Sequence, residues 1–150
     1  MNYIFEEDQR FTQWWIWMLL AIFPILSIVL FFLGEANVYY VLGCLILPLF
    51  FYAFQLRIKV NEEGLHYQFA PFHFKSHTIK LDEIEKFEAL QYKPLAEYGG
   101  WGIKYGFKGK AYNVSGNLGV KIYLANGRNI LFGSQKHKEL EKVLKQIKKP

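Results

Sequence analysis

The sequence predicts an α+β protein in which two apolar helices are followed by about seven short strands and a closing C-terminal helix. Three observations lead to this reading. Two runs, Trp14 to Leu33 and Val38 to Phe54, contain no charged residue. From Gln55 onward apolar residues recur at every second position, the strand period. Near the C-terminus they recur at i, i+3, i+4 and i+7, the helix period.

The two runs come first, within residues 1–54. At 1.5 Å per residue the spans 14–33 and 38–54 reach roughly 30 Å and roughly 26 Å, close to the bilayer core of about 30 Å. Trp14, Trp15 and Trp17 open the first, Tyr39 and Tyr40 open the second, and Tyr52 lies near its end. Indole and phenol rings favour the headgroup level. Only Gly34-Glu35-Ala36-Asn37 separates the runs, so they form a transmembrane hairpin with both ends on one side. The acids before the first run (Glu6, Glu7, Asp8) do not suit a signal peptide, and the segment is read as a retained tail. Pro24 and Pro48 lie inside the runs and imply kinks. The single Cys44 is a small apolar residue that excludes an intrachain disulfide and any multi-cysteine metal site.

Residues 55–150 hold 17 Lys and Arg against 9 Asp and Glu, whereas the link holds one acid and no base. The positive-inside bias therefore predicts a multi-pass inner-membrane protein with both termini cytoplasmic. The strands follow in order. Leu56, Ile58 and Val60 alternate, Asn61 to Gly64 turn, and Leu65, Tyr67 and Phe69 alternate again. Thr78 to Leu90 reads as strand, turn at Asp82-Glu83, and strand, and Ile103, Tyr105 and Phe107 form another alternating set. Val120, Ile122 and Leu124 lead through Asn126-Gly127, a pair suited to a type I′ turn, to Ile130 and Phe132. The last helix begins near Ser134 as N-cap, with Leu140, Val143, Leu144 and Ile147 on one face and lysines from Lys136 to Lys149 elsewhere. That basic amphipathic helix either covers the strands or lies on anionic lipid.

The stretch GGWGIKYGFKGKAYNVSGNLGVKIYLANGRNILFGSQ, from Gly99 through Trp101 and Asn113 to Gln135, carries a resemblance. With the strands and helix around it, it resembles the pleckstrin-homology-like (PH-like) domains of small bacterial membrane proteins. The resemblance implies a curved antiparallel sheet, barrel or sandwich capped by the last helix. It implies little about ligand. The base pattern with which eukaryotic pleckstrin domains hold inositol phosphates has no match here, so no binding residue is carried over.

Candidate contacts with membrane or partner are Arg57 and Lys59 at the membrane exit, Trp101 between glycines, and Lys104, Lys108 and Lys110. Lysines near an anionic surface gain roughly 1 kcal/mol each; the same charges also serve solubility. Trp101 is either an exposed contact or a core plug. Phe69, Phe72 and Phe74, interleaved with His73, Lys75 and His77, mark either a loop at the interface or a hairpin with core-facing rings. Glycines 99, 100, 102, 106 and 109 fit no dinucleotide or Walker spacing and are read as bends and close backbone approaches. Of His66, His73, His77 and His137, the spacing of His73 to His77 would place both on one face of a helix, but Pro71 and the strand-like neighbours speak against a helix there and no nearby acid or cysteine completes a ligand set; no nucleophile and base fall together, so no catalytic residue, metal or cofactor is expected. No ionisable side chain interrupts the spans, which disfavours an ion path through this chain alone. Nucleic acid is not an expected partner, for no binding motif accompanies the charge. The sequence thus points to a non-enzymatic, membrane-anchored binding or scaffold module whose partners are the bilayer, its anionic headgroups or another membrane protein. The rival readings are an accessory subunit of a membrane complex, and an enzyme acting on a lipid or envelope precursor, which would need His66 brought to an acid near Glu88.

Overall fold

A computed structural model describes residues 2–148. They divide into two compact units, residues 11–54 and the combination of residues 2–10 with 55–148. In the first unit, α1 (Trp14–Phe32) and α2 (Val38–Tyr52) are packed together. Leu20, Pro24 and Ser27, spaced by four and three, are the buried stripe of α1, flanked by the half-buried Ile16, Trp17, Ala21 and Leu30, and most of its remaining apolar residues are exposed. Pro24 lacks the amide that would bond one turn back, and Ser27 Oγ donates to the Pro24 carbonyl at 2.8 Å. Asn37 caps α2 by accepting the Tyr40 N–H at 3.0 Å.

Among the described residues, α1 is the one helix long and apolar enough to cross a membrane. The second span, expected over 38–54, is helical for 15 residues, which is about 22 Å. It stops early because Ala53 closes it and Gln55 already belongs to a strand.

The second unit is α+β. Sheet A has the antiparallel order β1-β2-β3-β4, with β1 Phe5–Arg10, β2 Gln55–Asn61, β3 Gly64–Ala70 and β4 His77–Lys80. A 3₁₀ turn, Leu81–Glu83, leads to sheet B, of order β5-β8-β9-β7-β6. Its strands are β5 Ile84–Gln91, β6 Gly102–Gly106, β7 Gly109–Asn113, β8 Leu118–Leu124 and β9 Asn129–Gly133; a short helix α3 (Pro94–Tyr98) precedes β6. All pairs in sheet B are antiparallel except β7 with β9. Rings join the sheets: Tyr67 of β3 lies 4.9 Å from both Tyr112 and Phe132, which stack on each other in sheet B. Helix α4 (His137–Ile147) covers β5, β8 and β2 with Leu140, Val143 and Leu144, which is the covering role of its two sequence readings. Lys149 lies outside the described residues.

Several expectations are corrected. Among the described residues there are nine strands rather than about seven, in two sheets and no closed barrel. The first missed strand is β1, read as a tail within 1–54. Its buried positions are Phe5, Glu7 and Gln9, and two polar residues at inward positions hide the period of two. The other is β7, where glycine and lysine precede the buried Ala111 and Tyr112. At 125–127 the turn is not type I′, since only Gly127 has positive φ (+80°). Leu124 accepts the Gly127 N–H and pairs with Arg128, the three-residue loop with a left-handed glycine. Helix α4 starts at His137 with Lys136 at its N-cap, two residues later than expected, and the Ser134 hydroxyl donates to Glu7 while accepting the Lys136 N–H in the turn before the helix.

Candidate functional site

The register of β1 on β2 decides the fate of two candidate residues. Asp8 is opposite Arg57 and Glu6 opposite Lys59. Arg57 Nε donates to Asp8 Oδ1 at 2.8 Å, and Lys59 Nζ meets Glu6 Oε1 at 2.5 Å while lying 4.7 Å from the Tyr3 ring centre. Both bases are therefore engaged in partly exposed cross-strand ion pairs, Arg57 with Asp8 and Lys59 with Glu6.

Trp101 is half-buried, and its indole N–H donates to the Gly116 carbonyl at 2.9 Å, tying two loops together. The glycine-rich stretch that carries the resemblance serves the interior in the same way. Asn113, fully buried, accepts the Gly102 N–H and donates to the Tyr92 hydroxyl, both at 2.9 Å. Burial pushes the Tyr92 phenol up to about 12. A Cβ on Gly109 would collide with Asn129, so this glycine marks a close approach of β7 to β9.

The three lysines of the β6–β7 hairpin part company. Tyr105 pairs with Lys110 and Lys104 with Ala111, which places Lys104 and Lys110 on opposite faces. Lys108, in the turn, meets Glu97 at 3.0 Å and holds that carboxyl below its usual range. Lys110 Nζ sits 4.7 Å from the Tyr112 ring centre and 5.1 Å from that of Tyr105. Aromatic faces attract a cation through the ring quadrupole.

Around Lys110 a groove of about 510 Å³ opens, lined by Tyr105, Phe107, Lys110, Arg128, Asn129 and Ile130. Arg128 is exposed, as are Tyr105 and Phe107. The groove joins the β6–β7 turn to the β8–β9 turn. Sequence reading placed Phe107 on a strand and passed over Arg128, whose signal is its position just after the turn glycine. Beside the groove, His73 lies 4.5 Å from His77 and 5.5 Å from Tyr112, ring to ring. His73 Nδ1 accepts the Phe69 N–H, and burial, His77 and Lys110 all hold its pKa below the ordinary value.

The pairing that an enzymatic reading required is not made by these contacts. Asn61 Oδ1 accepts the N–H groups of Glu63 and Gly64, so it is the oxygen, and His66 Nε2 donates to it at 2.8 Å. His66 Nδ1 is 2.7 Å from the Thr78 hydroxyl. Glu88 accepts the Tyr123 hydroxyl at 2.6 Å, which pushes that phenol up to about 12. Among the described residues no three of His, Cys, Asp and Glu form a group able to hold a metal. In comparison with known proteins, the chain matches no family model and no curated protein.

Proposed function

We propose that this chain is a non-enzymatic, membrane-anchored binding module whose folded domain holds anionic lipid headgroups in the groove at Lys110 and Arg128. One observation carries the reading. Arg57, Lys59 and Lys108 are matched by acids, whereas Lys110 and Arg128 line one groove with exposed aromatic rings and no carboxylate among its lining residues. Aromatic rings beside bases are the side-chain mixture of a lipid headgroup layer. The exposed apolar surface of α1 and α2 supports anchoring, and the basic excess after the helices supports a cytoplasmic domain at the inner membrane. Two sheets followed by a C-terminal helix are compatible with a PH-like ancestry, while β1 ahead of the helices and the parallel β7–β9 pair would be departures from it.

Native mass spectrometry of the full chain, released from mixed phosphatidylcholine and phosphatidylglycerol, tests this. Wild type is expected to retain phosphatidylglycerol preferentially, and Lys110→Glu with Arg128→Glu to lose that preference several-fold. Equal retention of the two lipids by wild type would refute headgroup binding. The brevity of α2 favours a second reading, an accessory subunit whose shorter helix leans on other spans; a co-purifying membrane protein that displaces the lipid would support it.

A further inference from the structure

We infer that the β3–β4 loop, residues 71–76, is a second point of membrane attachment, with Phe72 and Phe74 entering the headgroup layer and Lys75 meeting lipid phosphates. The inference rests on the membrane-anchored reading above and names a contact separate from the groove.

Register supplies the first argument. Arg10 ends β1 and Gln55 begins β2, and the two are paired, so the chain leaves for the helices and returns at one end of sheet A. Gln55 is also paired with Ala70, the last residue of β3, so the β3–β4 loop starts at that same end. Only Ala53 and Phe54 separate α2 from Gln55, a reach of at most about 10 Å. The opposite turn, at Glu62-Glu63, is six residues along β2, about 20 Å away.

Composition sorts along the same axis. The far end carries Glu62 and Glu63, with Asp82 and Glu83 in the 3₁₀ turn beside them, where Leu81 N–H bonds to the Glu63 carbonyl. The near end carries Phe72, Phe74 and Lys75, all exposed. An acidic far end and an aromatic, basic near end are the polarity that a negatively charged bilayer surface selects. Phe74 is 94 % exposed, while Phe69 just before the loop is fully buried.

The loop is held in this form. Gln68 Nε2 donates to the carbonyls of His73 (3.0 Å) and Phe74 (3.4 Å), and His73 N–H donates to the Phe69 carbonyl at 2.8 Å. The rings are thus presented outward by a braced turn, and His73 links the loop to the groove across the Tyr112 ring that Lys110 also covers.

Spin labels on the full chain, in the Cys44→Ala background and in vesicles of phosphatidylcholine with phosphatidylglycerol, test the inference. Single labels at Ser76→Cys (loop), Glu62→Cys (far turn) and Leu26→Cys (α1) are compared by collision with oxygen and with a water-soluble nickel chelate. The oxygen-to-nickel ratio at Ser76→Cys is expected several-fold above that at Glu62→Cys, and to fall to the Glu62→Cys level when Phe72→Ser and Phe74→Ser are added. A loop label as water-exposed as the far turn, with Leu26→Cys still in the acyl region, would overturn loop attachment and leave the anchor standing. A water-exposed Leu26→Cys would overturn the anchor and the loop contact together.

Discussion

Glu7 is a buried carboxylate that fastens the first strand to the last strand–helix junction. Its Oε2 accepts the Ser134 hydroxyl at 2.5 Å and its Oε1 accepts the Gln135 N–H at 2.9 Å; two residues on, Gln9 Nε2 donates to the Gly133 carbonyl at 2.7 Å. Ser134 in turn accepts the Lys136 N–H at 3.1 Å, so the approach to α4 is organised through a residue 127 positions earlier. Glu7→Ala leaves the Gln135 amide without this acceptor and is expected to cost about 1–3 kcal/mol. Glu7→Gln, which keeps an oxygen there, costs less. Thermal melting of the detergent-solubilised chain checks the order, and an unchanged midpoint for Glu7→Ala would remove the fastening role.

At the scale of elements, the helix pair is an insertion into a β-hairpin. Its entry and exit residues, Arg10 and Gln55, are register partners, and β1 continues the pairing to Phe5 with Val60. Replacing residues 11–54 by an Asn-Gly turn is therefore expected to give a folded, water-soluble domain. A fragment that simply starts at Gln55 loses the burial of Phe5, about 2 kcal/mol, and the bonds of Glu7 and Gln9 as well. Denaturant titration should place the fragment well below the joined domain; equal midpoints would show that β1 contributes nothing. Much of this architecture was legible. The hairpin of β2 and β3, the strands β8 and β9 and the buried face of α4 follow from apolar periodicity, because each has an uninterrupted apolar inward face. What escaped was carried by polar residues. Glu6 and Asp8 are spaced by two and face Arg57 and Lys59, also spaced by two, so the complementary charges held a pairing signal that reads as solvated tail when the strands are scanned singly. The groove escaped because the parallel β7–β9 pairing, Lys110 with Ile130, brings Lys110 and Arg128 to one groove, a juxtaposition that no local pattern encodes.

For the whole molecule, the β1–β2 pairing constrains topology more tightly than helix length does. Two strands bonded along their length lie on one side of any bilayer that the helices enter, so the connection between them must go in and come back. The 19 residues of α1 suffice to cross, at about 28 Å, whereas the 15 of α2 reach the far surface only if the bilayer thins or the flanking residues of the link and of Ala53-Phe54 extend the path. Crossing and a shallow return loop therefore differ in one place, the link at Gly34 to Asn37. On the membrane-anchored reading proposed above, the exposed apolar residues of both helices and the link's lack of any base would suit full crossing. In the Cys44→Ala background, a membrane-impermeant maleimide is expected to label Ala36→Cys from outside intact bacterial cells. Glu62→Cys, in the far turn of sheet A, should react only in inverted vesicles. Reaction of both positions from the same side would mean that the helices dip into one leaflet and return, and the two-span topology would then give way to an interfacial hairpin.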